Sequence, residues 1–180
     1  REMVTQFQHS LQQSNAIINV HLKVDTGMHR LGVQPDELLQ LAQEINNSKN
    51  LRLTGVCTHL AAADDPLQDA FTHQQLDCFD AVIAQLTQNG FHNLNYHAAN
   101  SAGAIRFKRA HYDMIRPGLA LYGLYPSNDV SQKIKLSLAI AVISHVVDIR
   151  TVKSNESVGS ARAFRAGDKG CRIAGSPFGC

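Results

Sequence analysis

The sequence predicts an α/β fold, a partial (β/α)8 TIM-type barrel over residues 1–130 followed by the start of a mainly β segment over 131–180. Three observations predict it. Apolar, β-branched runs alternate with amphipathic helical stretches at the spacing of parallel β–α units. The character changes to short β-prone runs after Pro126. Only about four strands precede that change, where a closed barrel takes about eight, so the chain is expected to be part of something longer.

Met3, Val4, Phe7 and Leu11 recur at helical spacing and predict a helix over 1–14. Residues 16–24 are rich in β-branched and apolar side chains and end at Asp25-Thr26-Gly27, a strand running into a polar loop. Pro35-Asp36-Glu37 opens a helix that buries Leu38, Leu39, Ala42 and Ile45. A second strand covers 51–60. Next comes a helix over 69–89 with Phe79, Val82, Ile83 and Leu86 inward and Gly90 as its terminator. A third strand covers 94–98, Asn100 caps a short helix through Ile105, and 112–115 form a fourth strand before Pro117-Gly118. Beyond a boundary near 126–134, residues 136–152 are a long β-prone run and Lys153-Ser154-Asn155-Glu156 a turn. Short strands with Gly-rich breaks follow.

With 180 residues, 44% hydrophobic and 18% charged, the chain can bury one soluble domain or parts of two, which excludes a disordered or fibrous protein. The longest apolar run, 136–147, contains Ser137, Ser144 and His145 and is too short and polar to span a bilayer. No signal peptide opens the chain. A net charge of +2 without any dense Lys/Arg tract argues against nucleic acid and for a small-molecule partner. Cys57, Cys78, Cys171 and Cys180 form no CxxC pair, so neither zinc nor a disulfide framework is indicated and a reducing cytoplasm fits.

In a parallel barrel the carboxyl ends of the strands converge on one face, and each predicted strand here ends in polar residues. These are Lys23 and Asp25 with Arg30 beyond, then Thr58 and His59, then His97, Asn100 and Ser101, then Arg116 with Gly118. Singly, each has a plain structural explanation: Lys23 and Asp25 as a solvated ion pair, a histidine as a bonded core residue. Four successive strands ending alike favour a shared site. Ser101 at a helix start, Gly118 open to close backbone approach, and the planar donors of Arg30 and Arg116 suit a phosphorylated, planar, partly anionic ligand.

Four stretches resemble alanine racemase motifs in the family's order: HLKVDTGMHRLG at 21–32, THLAAAD at 58–64, HAANSA at 97–102 and MIRPGLALYGL at 114–124. The resemblance is close over 15–127 and looser over 136–180. It implies a cytoplasmic bacterial homodimer that uses pyridoxal 5'-phosphate to interconvert L- and D-alanine for peptidoglycan precursors. It further implies that His59 faces the cofactor ring and that Ser101 with the amides of Gly118 and Leu119 holds the phosphate. Arg116 would bond the pyridine nitrogen and, keeping its own proton, leave that nitrogen unprotonated. His97 would support Arg116 from behind, and Arg30 would lie near the phenolic oxygen and the substrate carboxylate. Lys23 matches a lysine often carbamylated in the family; an unmodified lysine paired with Asp25 is the alternative, and both stay open. Asn100 is favoured as a helix cap over a cofactor contact.

The resemblance also exposes gaps. Racemisation needs a base on one face of the α-carbon and a proton donor on the other. No stretch resembles the family's Schiff-base lysine motif, and ESVGSARAFRAGD at 156–168 puts Ser160 where the family has tyrosine. In SPFGC at 176–180, Cys180 likewise stands at a tyrosine position. No catalytic residue is therefore retained, and this chain alone is expected to be inactive. The rival readings are a non-catalytic barrel that binds the same cofactor, a related racemase or decarboxylase for another amino acid, and a remnant without a ligand.

Overall fold

A computed structural model describes residues 2–131 and 133–177, which form two compact units, 1–139 and 140–180. The sequence reading divides the chain at 130/131; the first unit runs further because the Leu136 amide donates to the Tyr125 hydroxyl (2.7 Å) and the Ala139 amide to the Tyr122 carbonyl (3.0 Å).

The first unit is α/β. Its helices are α1 (Glu2–Ser10), α2 (Pro35–Asn46), α3 (Asp69–Gln88), α4 (Ser101–Arg106) and the single turn α5 (Asn128–Ser131). Its strands, β1 (Ile18–Lys23), β2 (Leu51–Cys57) and β3 (Asn95–His97), make one parallel sheet in the order β1-β2-β3. Leu38, Leu41, Ala42 and Ile45 of α2 are buried, so Leu41 takes the inward place that the sequence assigns to Leu39. On α3 the buried stripe is Thr72, Gln75, Leu76, Phe79, Val82 and Leu86, with Ile83 packed at its margin. Phe79 is fully buried and meets Tyr96 of β3 and Tyr112 edge-on, at centroid distances of 6.4 and 5.1 Å.

Register does most to position the site. One extra residue in β2, Thr54, interrupts the β1–β2 ladder between Val20 and His21. After it, His21 pairs with Gly55 and Leu22 with Val56; Lys23, Cys57 and His97 then stand level across the three strands. Because side chains alternate, Leu22, Val24, Val56 and Ala98 join the core while His21, Lys23, Cys57 and His97 share the opposite face.

Two expected strands differ. Residues 112–115 make no regular strand: Tyr112 has φ 45°, which turns the chain, and the segment is tied back to β3 and the residues after it by Asp113 N–H to the Tyr96 carbonyl, Tyr96 N–H to the Asp113 carboxylate and Arg116 N–H to the Ala99 carbonyl. The 136–152 run begins in the first unit and is regular only as β4 (Asp148–Val152) in the second, where the strand that pairs with it ends at Gly175, opposite Asp148. With β5 (Ser157–Val158), β6 (Phe164–Arg165) and β7 (Cys171–Gly175), the pairs are β4–β7 and β5–β6, both antiparallel.

Phe79→Ala is expected to lower unfolding stability by about 3–5 kcal/mol, since it leaves a void under both tyrosines. Urea denaturation checks this, with a loss below about 1 kcal/mol contradicting it.

Candidate functional site

The carboxyl ends of β1, β2 and β3 carry the groups that the sequence singles out. Arg116 is their anchor. Its Nη1 donates to His97 Nδ1 and its Nη2 to the carbonyls of Thr58 (2.7 Å) and Ala98 (3.3 Å). An arginine offers five N–H donors and no acceptor, so with three engaged here the Nε–H and one Nη1–H are left for a ligand.

Arginine as the donor also decides the state of His97. Nδ1 must present a lone pair, which puts the proton of neutral His97 on Nε2, where it is donated to His21 Nδ1 at 2.8 Å. Burial, then the positive charge of Arg116, then His21 hold the His97 pKa down to about 4, so the ring is neutral in neutral solution. The His21 ring reaches across β2 to His97 only because residue 55 is glycine. A Cβ there would lie 2.6 Å from both His21 Cε1 and the Asn95 carbonyl oxygen.

His59, half-buried just beyond β2, senses the same surroundings: burial first, then Arg116, Lys23 and Arg30, depress its pKa below the ordinary histidine value. Three cations from three loops or strand ends thus bear on one imidazole.

The loop after β1 is built around Asp25. Its Oδ1 accepts the amides of Gly27 and His29, both at 3.0 Å, while Oδ2 lies 3.4 Å from the His29 ring. Burial pushes the Asp25 pKa up, but the amides of His29, Gly27 and Met28 and the His29 charge outweigh it, leaving the carboxyl below its usual value. Asp25 is therefore committed to its own loop, and the pairing with Lys23 that the sequence leaves open is not formed. The loop returns to β1 through a Val24–Val33 bridge that needs Gly32: φ is +134°, and a Cβ would meet the Asp25 nitrogen at 2.8 Å. Arg30 projects from this loop as an exposed residue.

Asn100 caps α4, as expected: Oδ1 accepts the Gly103 amide (2.9 Å) while Nδ2 donates to the Leu60 carbonyl (3.0 Å). The Ser101 hydroxyl accepts the amides of Gly118 (2.8 Å) and Ala120 (3.2 Å), which draws the start of α4 and the segment after Arg116 together. Leu119 lies between those amides, at the start of a 3-10 turn. Ser160 opens an exposed 3-10 turn in the second unit, and Cys180 lies outside the described residues. The sequence reading missed His21 as a working member of this set, although its alternation with Lys23 was the available signal.

A family model described as "Alanine racemase, N-terminal domain" matches residues 1–126. The chain belongs to this family. It is 37% identical to an alanine racemase of Treponema denticola over 162 residues, covering 89% of this chain and 42% of that protein. Against one of Symbiobacterium thermophilum it is 40% identical over 139 residues, 77% of this chain and 37% of that protein. Among solved structures, alanine racemase of Clostridium difficile 630 superposes with a TM-score of 0.75 at 27% identity, over 99% of this chain and 46% of that one. Alanine racemase of Bacillus anthracis with bound L-Ala-P gives 0.74 at 28% identity, over 96% and 45%. The chain thus spans less than half the length of these alanine racemases.

The His97 pKa sets a pH window. Above about pH 6.5 the ring is neutral whether the chain is folded or unfolded; as pH falls from 6.5 towards 4, only the unfolded chain takes up the proton, so folding stability drops. The full loss is on the order of 3 kcal/mol. Urea unfolding between pH 7 and 4 checks this against His97→Gln, which is expected to remove that component; equal pH dependence in the two would contradict it.

Proposed function

We propose that the chain forms the cofactor-holding part of an alanine racemase, a cytoplasmic bacterial isomerase that interconverts L- and D-alanine with pyridoxal 5'-phosphate for peptidoglycan precursors. The observation that carries the reading is the tethered Arg116, a guanidinium held on His97 and two strand-end carbonyls with two N–H donors to spare. Family membership and the L-Ala-P held by the related Bacillus anthracis structure support alanine as substrate.

The donor set fits the cofactor's chemistry. Ser101 with the Gly118, Leu119 and Ala120 backbone suits a phosphate; His59, with its pKa held down, suits stacking as a neutral ring; Arg30 suits a carboxylate or phenolate oxygen. Arg116 would offer a free N–H to the pyridine nitrogen and, retaining that proton, would leave the nitrogen unprotonated. When bound, pyridoxal phosphate provides an electron sink for the pair left at an amino acid's α-carbon, one weakened by that unprotonated nitrogen, which suits racemisation over competing reactions. His97 and His21 hold the Arg116 plane. In this reading the parallel sheet is a portion of an eight-stranded barrel, the second unit starts a β domain, and two copies of a longer protein pair to complete each site.

The chain alone lacks the lysine that would condense with the cofactor, and Ser160 stands where a tyrosine is expected. A serine hydroxyl is a far weaker acid than a phenol of pKa ~10. Purified chain is expected to bind pyridoxal phosphate, followed by cofactor absorbance. Arg116→Ala and Ser101→Ala are each expected to weaken binding about tenfold, the worth of one lost charge-assisted bond. Chiral detection is expected to find no turnover of L-alanine beyond that of free cofactor. Failure of the chain to bind the cofactor would overturn the reading, and turnover well above free cofactor would overturn the assignment of the chain as inactive.

A further inference from the structure

We propose that Gln75 is a positioning residue whose buried amide locks the loops after β1 and β2 together and so sets where His59 and Arg30 stand. Gln75 lies on the buried stripe of α3, one turn before Phe79, and is fully buried. An amide there would be costly if left unbonded. Its Oε1 accepts the Ala61 amide (2.9 Å), and its Nε2 donates to the His59 carbonyl (3.1 Å) and the Thr26 hydroxyl (3.2 Å). The Thr26 hydroxyl in turn bonds that of Thr58 at 2.7 Å. None of these partners belongs to a helix or a strand ladder.

A leucine at this position would fill the stripe as well, so packing alone gives no reason for glutamine. The bonds do. One side chain grips the residue before and the residue after Leu60, including His59 itself, and also the threonine that opens the loop carrying Arg30. Asp25 orders the rest of that loop from within, so Gln75 supplies its link to the neighbouring strand end. The inference rests on the cofactor reading only in assigning His59 and Arg30 to a ligand; the positioning of His59 can be read without any cofactor.

The test uses the full chain with Gln75→Met, which keeps the shape and removes the bonds. Thr26→Val, which removes one partner at a half-buried position, decides the matter if the first variant fails to fold. Leu76→Ala is the control, a core lesion on the same helix that touches none of these bonds. The readout is the His59 titration by NMR, assigned with His59→Gln, together with pyridoxal phosphate affinity. In the wild type His59 titrates below 6.5, held down by burial and by Arg116, Lys23 and Arg30. Loosening its backbone is expected to move the midpoint up towards 6.5 in Gln75→Met, by less in Thr26→Val, and not at all in Leu76→Ala. Cofactor affinity is expected to fall about tenfold in Gln75→Met. An unchanged His59 midpoint in the folded variants, or an equal shift in Leu76→Ala, overturns the proposal. A midpoint shift in a chain that binds no cofactor upholds the positioning of His59 and overturns the cofactor reading alone.

Discussion

The hydrogen bond from Arg116 to His97 Nδ1 is the constraint on which the site depends. A guanidinium can only donate, so the acceptor must be a bare ring nitrogen. That requirement fixes the His97 tautomer, directs its remaining proton at His21, and makes burial of a neutral imidazole an advantage. With two strand-end carbonyls on the other nitrogen, Arg116 is held at several points before any ligand arrives. Such preorganisation lets a fixed charge act on a ligand without ordering a long side chain at the moment of binding.

Backbone geometry makes that bond possible. The Thr54 bulge shifts register by one residue, which puts His21 opposite Gly55 and brings Lys23, Cys57 and His97 level. Without the extra residue, alternation would send one of the strands' polar ends into the core. The loops beyond the strands are then fixed by side-chain-to-backbone bonds of three kinds: Asp25 within its own loop, Asn100 at the start of α4, and Gln75 from across the helix layer. Each is a polar group placed where an unregulated loop would otherwise wander. Together they turn three short strands into a converging rim.

Most of the first unit was legible because it is locally encoded. Pro35 opening α2, the Phe79–Val82–Leu86 stripe and the Asn100 cap all express themselves within a few residues of sequence. The failures are non-local. Residues 112–115 have strand-like composition, but a left-handed Tyr112, held by its hydroxyl on Asp80 and its ring on Phe79, breaks the extended run. Residues 136–147 are apolar and β-prone, yet none of them lies in a strand; the Val147 amide bonds the Gly175 carbonyl at the end of β7, and Ile143 remains 90% exposed. At the site, the strand-end residues could be found one by one, while the contact of His21 with His97 depends on a glycine in the strand between them. Gln75 was within reach: a polar residue four before Phe79 on an apolar stripe is a signal of internal bonding.

The arrangement turns on where one proton of His97 sits, and histidine nitrogen NMR reads that directly. In the folded chain at about pH 6, below the ordinary histidine pKa, His97 assigned by its loss in His97→Gln is predicted to carry a single proton, on Nε2, with Nδ1 bare. A proton on Nδ1, in either the other tautomer or the imidazolium, would contradict the account, because Arg116 would then have no acceptor to hold it.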